Sequence, residues 1–200
     1  MTPTVTDFTA LLAAMAPITV GFEGSIPHMY LDNSKFGIVT CGVGFALEEV
    51  ENALELPWYT QDSGPNVSHQ STRSEISFDF KRVAAMCPGR AAGTYRCPTS
   101  PLLTEGDITR ILEQDLGGFA SELIPIFPDY MAWPLPAQLA ILDMAYNLGI
   151  AGLKKYTHLL AGASAELWVK CANECHRNGI DSTRNSWTFT KFMQAAASGR

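Results

Sequence analysis

Two acidic residues and one hydroxyl group in the first 40 residues have types and spacings suited to hydrolysis of a glycosidic bond. Glu23 follows an apolar stretch, Asp32 comes nine residues later at a polar bend, and Thr40 follows after eight more in a glycine-rich segment. Such hydrolysis needs one carboxyl group that stays protonated and a second that stays ionised. Each acid also has an ordinary interpretation, as a solvated helix-end residue for Glu23 and as the start of a turn for Asp32.

The same segment contains a longer pattern, with Glu23-Gly24, Tyr30-Leu31-Asp32 and Thr40-Cys41-Gly42-Val43-Gly44 in order. This pattern resembles the active-site hairpin of the phage-type lysozymes, glycoside hydrolase family 24. Phe45 stands where that family usually has histidine. Residues 60–100 have no counterpart in the resemblance. Weaker matches lie in three later segments: 103–116, 140–160 and 176–185.

The resemblance implies a role for each residue of the pattern. It makes Glu23 the general acid, which requires a raised pKa, and Asp32 the base or electrostatic stabiliser that faces it across a cleft. It makes Thr40 a hydrogen-bonding partner of the attacking water. The substrate-binding residues predicted with them are Tyr30, Gly42, Gly44 and Asn147. Ordinary packing, strand flexibility and a helix-end amide are the alternative interpretations of these four residues.

The leading functional hypothesis is a muramidase that hydrolyses the β-1,4 bond between N-acetylmuramic acid and N-acetylglucosamine in peptidoglycan. One alternative is a catalytically inactive lysozyme-like module that binds glycan or a partner. A thiol hydrolase built on Cys41 or Cys87 is a third hypothesis, but no cysteine–histidine pairing has a recognisable setting. Among the remaining candidates, Trp58 is suited to stacking on a sugar, whereas His28 and His69 are expected on the surface.

Composition and charge restrict the partners. The net charge of −6 argues against nucleic acid, and no segment is apolar over a membrane-spanning length, so membrane insertion is not expected. The N-terminus lacks the positively charged start of a secretory signal, so action in the periplasm or on the cell wall requires another export route. A holin, a phage particle or a secretion system would supply it. We expect a monomer, and an immunity protein as a further partner if the chain is a secretion-system toxin rather than a phage endolysin.

Five cysteines are too few for a disulfide scaffold. Cys87 and Cys97 bracket a loop and are the predicted disulfide in an oxidising compartment. Cys171 and Cys175 are one helical turn apart and are expected to be half-buried thiols. No cofactor is implied, and no metal site is predicted, because a fourth ligand at a suitable spacing is missing.

The hydrophobic pattern predicts an α+β fold, mostly helical, with a small β-hairpin lobe beside the active-site cleft. A single lysozyme-like domain is expected, with a hairpin lobe at about 24–60, an insertion at about 61–102 and a helical lobe from 1–23 and 103–200. Asp7 is the predicted cap of the first helix, which Pro17 should interrupt. Residues 61–74 and 87–103 are predicted as loops. The predicted helices and the hairpin are helices 8–16, 18–23, 48–55, 75–86, 104–124, 137–148, 153–160, 165–175 and 187–196, and hairpin 36–46.

Overall fold

Helices form most of the structure, and two small antiparallel sheets complete an α+β fold. The computed structural model describes residues 5–61 and 68–198. It divides into two compact units, of which the first comprises Met1–Phe22 and Glu113–Arg200 and the second Glu23–Leu112. The predicted fold class, α+β and mostly helical, is confirmed. The predicted capping side chain, Asp7, lies outside the side chains that the structure describes.

The second unit begins with a three-stranded antiparallel sheet of β1 (Ile26–Leu31), β2 (Val39–Gly42) and β3 (Phe45–Leu47). The hairpin predicted for residues 36–46 is confirmed as β2–β3, with Cys41 opposite Phe45. The sequence pattern did not predict β1, because Pro27 lies inside it. Proline is tolerated on an edge strand, and β1 is at the edge of the sheet order β1-β2-β3.

The remainder of the second unit contains short elements that follow the sheet. They are α2 (Val50–Leu54), β4 (Tyr59–Gln61), β5 (Ser68–Gln70), α3 (Arg73–Ala84) and a 3-10 turn (Ala92–Tyr95). The predicted loop over residues 61–74 is wrong at both ends, because Gln61 pairs with Ser68 in the β4–β5 hairpin and α3 already begins at Arg73. Residues 62–67 of that loop lie outside the described residues.

Helix α3 begins earlier than the sequence predicts because of a reciprocal cap. The Thr72 hydroxyl accepts a hydrogen bond from the Glu75 backbone N–H at 3.3 Å, and the Glu75 carboxylate accepts one from the Thr72 backbone N–H at 2.8 Å. Such a capping box satisfies two backbone donors that the helix end leaves open. The helix therefore includes Arg73 and Ser74, for which the sequence predicts a loop.

The predicted break at Pro17 is wrong, because α1 runs without interruption from Val5 to Glu23. Proline removes one backbone hydrogen bond from a helix. Buried apolar side chains that precede the proline compensate, since Leu11 and Met15 are buried in the first unit. The last residue of α1 is Glu23, as predicted, and Gly24 follows it directly.

The other helices are α4 (Glu105–Leu123), α5 (Leu135–Leu153), α6 (Thr157–Ser164), α7 (Trp168–Glu174) and α8 (Ser182–Ala197). Residues 137–145 of α5 are all buried, which confirms the prediction of a core helix. Gly149 has a non-helical backbone, with φ of 67°, and kinks α5 just after the predicted end at Leu148. None of the helices among the described residues is both long and apolar enough to cross a membrane.

Two residues for which the sequence predicts an accessible position are buried instead. Trp58 has no exposed area, and its indole N–H donates to the Ala53 carbonyl oxygen at 2.7 Å, so it is not available to stack on a sugar. His28 is 6% exposed, and its Nε2 lies 2.9 Å from the Ala92 carbonyl oxygen. His28 is covered because the 3-10 turn and α3 of the insertion pack against β1.

Candidate active site

The end of β1 and its pairing with β2 position the predicted catalytic residues. Tyr30 lies opposite Thr40 and Leu31 opposite Val39, so Asp32 is the first residue after β1 leaves the sheet. Glu23 ends α1 shortly before β1 begins. Because directly paired residues of an antiparallel sheet lie on the same face, Tyr30 and Thr40 share one face of the sheet. The Glu23 side chain is exposed, Asp32 is half-buried and Thr40 is buried.

Asp32 organises the loop between β1 and β2 through one carboxylate oxygen. Its Oδ1 accepts hydrogen bonds from the Ile38 backbone N–H at 2.8 Å, the Ser34 hydroxyl at 2.6 Å and the Ser34 backbone N–H at 3.2 Å. Burial raises the pKa of this carboxyl group, but the hydrogen bonds from Ser34 and Ile38 outweigh burial and hold the pKa below its usual range. Asp32 is therefore ionised at neutral pH, as the second carboxyl group of a glycosidase must be.

Tyr30 connects the two carboxyl groups electrostatically. Burial raises the pKa of the Tyr30 phenol, and the neighbouring acidic groups of Cys41, Asp32 and Glu23 raise it further. Coulombic effects of this kind act over short distances. Glu23 and Asp32 therefore both act electrostatically on the same phenol group, and the raised pKa keeps Tyr30 protonated at neutral pH.

The Thr40 hydroxyl is already engaged within the sheet. It donates to the Ile38 carbonyl oxygen at 2.9 Å, and the residue is only 4% exposed. A hydroxyl oxygen that donates its hydrogen keeps its lone pairs as acceptors. Any contact between Thr40 and a water would therefore have the water donating to the Thr40 oxygen.

The two glycines of the hairpin have different surroundings. A Cβ atom at Gly42 would lie 2.3 Å from Cε2 of Phe45, so the aromatic ring covers this glycine closely. Gly44 is exposed, and a Cβ atom there would have no neighbour within 4 Å. Gly42 is thus buried and needed for packing beneath Phe45, whereas Gly44 is exposed. The Phe45 ring fills the space above Gly42.

Asn147 belongs to a buried charge network in the first unit that the sequence analysis missed. Asp143 is fully buried and accepts hydrogen bonds from Arg177 Nη2 at 2.8 Å, Arg184 Nε at 2.9 Å and the Thr188 hydroxyl at 3.2 Å. Arg177 Nη1 also donates to Asn147 Oδ1 at 3.1 Å. The available signal was Asp143 itself, since an acid in an otherwise apolar helix needs a buried partner.

The predicted disulfide is not formed in the structure, where Cys87 is an exposed free thiol and Cys97 a half-buried one. The Cys97 Sγ atom lies 3.3 Å from the Ser100 hydroxyl instead. Burial acts to raise the pKa of Cys97, but hydrogen bonds from Ser100 and Thr99 and the Arg82 charge lower it overall. Burial raises the pKa of Cys41 to about 12, which makes it a poor nucleophile at neutral pH. Cys171 and Cys175 are buried rather than half-buried.

The chain offers no metal centre of its own in the part that the structure describes. Among residues 5–61 and 68–198, no group of three or more His, Cys, Asp and Glu side chains is placed to hold a metal ion.

No protein-family model matches the sequence. No curated protein matches it either.

Proposed function

We propose that the protein is a peptidoglycan muramidase that hydrolyses the β-1,4 bond between N-acetylmuramic acid and N-acetylglucosamine. The observation that carries this proposal is the pair of carboxyl groups around Tyr30. Asp32 is held ionised by three hydrogen bonds, and Glu23 is an exposed carboxyl group within electrostatic range of the same phenol. Two carboxyl groups in different environments match the requirement of acid-assisted glycoside hydrolysis.

Each residue has one part in the proposed reaction. Glu23 donates its proton to the glycosidic oxygen as the bond to the anomeric carbon breaks. Asp32 uses Oδ1 to hold its loop, which leaves Oδ2 to accept the proton of the attacking water. The Thr40 oxygen accepts a second hydrogen bond from the water and orients it. The products are two shorter glycan chains, and no cofactor takes part.

The test is the Glu23→Gln variant, measured by loss of turbidity of chloroform-permeabilised Gram-negative cells and by release of reducing ends from purified peptidoglycan. The amide cannot donate the required proton, so we expect activity to fall by a factor of about 100 or more. The matched control is Glu51→Gln, which removes one exposed acid on α2 of the same unit. Near-wild-type activity of a folded Glu23→Gln variant would refute the assignment.

One observation favours a second candidate, an inactive module that binds glycan. The Thr40 hydroxyl donates to the protein backbone, and Phe45 covers Gly42, so part of the hairpin is closed. This candidate requires that the wild type sediments with purified peptidoglycan but releases no reducing ends from it. Release of reducing ends that Glu23→Gln abolishes would reject this alternative.

A further inference from the structure

The loop after β1 presents an aromatic ring beside Asp32. Phe36 is 85% exposed, and Ile38, two residues later, is 37% exposed. Exposed apolar side chains are common singly, but two in one short loop next to a candidate catalytic residue indicate a contact surface. Both side chains belong to the loop that Asp32 holds together.

Backbone hydrogen bonds within the loop and packing against the insertion both hold the backbone of this loop in place. The Asp32 backbone N–H donates to the Ile38 carbonyl oxygen at 3.0 Å, and the Gly37 N–H donates to the Ser34 carbonyl oxygen at 3.2 Å. Gly37 packs so closely on the insertion that a Cβ atom there would lie 2.7 Å from Cβ of Pro88. The Phe36 ring is therefore presented from a rigid support, and a ligand that contacts it loses little conformational entropy in ordering the loop.

A positive charge accompanies the ring. The Lys35 ammonium lies 5.8 Å from the centroid of Phe36, within the range of a cation–π interaction. An exposed aromatic face with an adjacent ammonium group matches two features of peptidoglycan. The C–H groups on one face of a pyranose stack on aromatic rings, and the peptide stems carry carboxylates that pair with lysine.

We propose that Phe36 and Lys35 form a substrate contact for peptidoglycan, with Phe36 stacked on a sugar ring and Lys35 paired with a stem-peptide carboxylate. This inference rests on the proposed muramidase function and extends it to substrate recognition. Because the contact forms when substrate binds and persists in the transition state, its loss raises KM and leaves kcat nearly unchanged.

The first experiment compares Phe36→Ala with Phe78→Ala in hydrolysis of purified peptidoglycan. Phe78 is the matched control, since it is a 70% exposed phenylalanine on α3 of the same unit. We expect Phe36→Ala to raise KM by roughly tenfold, the size of a good aromatic contact, and Phe78→Ala to leave KM unchanged. Phe36→Trp keeps an aromatic face and should restore KM. An unchanged KM in Phe36→Ala would overturn the proposed substrate contact. Hydrolysis by the wild type would in that case still support the proposed muramidase function.

The second experiment separates the sugar from the peptide. The Glu23→Gln variant and its combinations with Lys35→Ala or Phe36→Ala are titrated with N-acetylglucosamine tetrasaccharide, which has no carboxylate, and with soluble peptide-bearing glycan fragments. Phe36→Ala should weaken binding of both ligands, and Lys35→Ala only of the fragments. Equal loss of both ligands in Lys35→Ala would refute the role of Lys35. If the wild type hydrolyses no peptidoglycan but glycan binding still depends on Phe36, the proposed muramidase function is refuted and the Phe36 contact is supported.

Discussion

Substitution of Asp32 separates its structural role from its catalytic role. Oδ1 accepts three hydrogen bonds that hold the loop, while the negative charge serves the proposed chemistry. Asp32→Asn keeps an acceptor oxygen but removes the charge. Asp32→Ala removes both. The two variants should therefore differ in stability and agree in their loss of activity.

The expected magnitudes follow from the contacts. A hydrogen bond contributes about 1 kcal/mol net to stability, and the three hydrogen bonds of the half-buried Asp32 should each contribute about that much. Asp32→Ala should therefore lower the free energy of unfolding by about 2–3 kcal/mol. For a chain of this length that corresponds to a fall in Tm of roughly 4–12 °C. Asp32→Asn should cost less than about 1 kcal/mol, since the amide oxygen still accepts from the loop. Both variants should lose about 100-fold or more in hydrolysis.

The measurements are urea unfolding and reducing-end release, with the stability series extended to acid pH. Because the folded pKa of Asp32 is lowered, its ionised form stabilises the protein above the ordinary aspartate pKa of about 3.9, and this stabilisation is lost as pH falls through the lowered value. The stability gap between wild type and Asp32→Asn should therefore close below that pH. Equal destabilisation by Asn and Ala would refute the assignment of Oδ1 to the loop, and an active Asp32→Asn variant would refute the role as base.

Three further predictions test other parts of the molecule. Asp143→Ala should lower the free energy of unfolding in urea by about 3–5 kcal/mol, because two buried guanidinium groups lose their carboxylate; a loss below about 1 kcal/mol contradicts this. Iodoacetamide at pH 8 should label Cys97 well before Cys41, as read by peptide mass spectrometry, and the reverse order would contradict the pKa directions. NMR should show that the sugar anomer released first has inverted configuration, which fits an inverting enzyme whose two carboxyl groups, Glu23 and Asp32, lie roughly 6.5–9.5 Å apart. Release of the β anomer would instead make Asp32 a nucleophile.

Local patterns predicted the elements whose stability is local. Thr104 caps the start of α4, since its hydroxyl accepts from the Asp107 backbone N–H at 3.1 Å and donates to the Asp107 carboxylate at 2.6 Å. The β2–β3 hairpin likewise depends on neighbouring residues and an alternating pattern. Interactions between residues a few positions apart can be predicted from the sequence, because the local backbone geometry fixes how those residues meet.

The predictions that failed depended on distant residues. Pro17 was expected to break a helix, but buried neighbours in the first unit keep α1 continuous. Trp58 was expected to be available for stacking on a sugar, yet its side chain is buried. The partners of Asp143 lie 34 and 41 residues away in sequence, and no local pattern can indicate which bases reach it. Tertiary packing overrides local propensity at each of these positions.

The loop after β1 shows how one carboxylate can connect structure with recognition. Sequence reasoning considered Asp32 either as a turn residue or as the base or electrostatic stabiliser of the predicted reaction, and its contacts are compatible with both interpretations. The hydrogen bonds that make the turn are also those that lower the pKa of the carboxyl group, so the fold supplies the ionised state that the proposed reaction needs. The same bonds fix the backbone that presents Phe36. Charge, loop conformation and the proposed glycan contact are therefore coupled through one oxygen atom, and each should change when Asp32 becomes alanine.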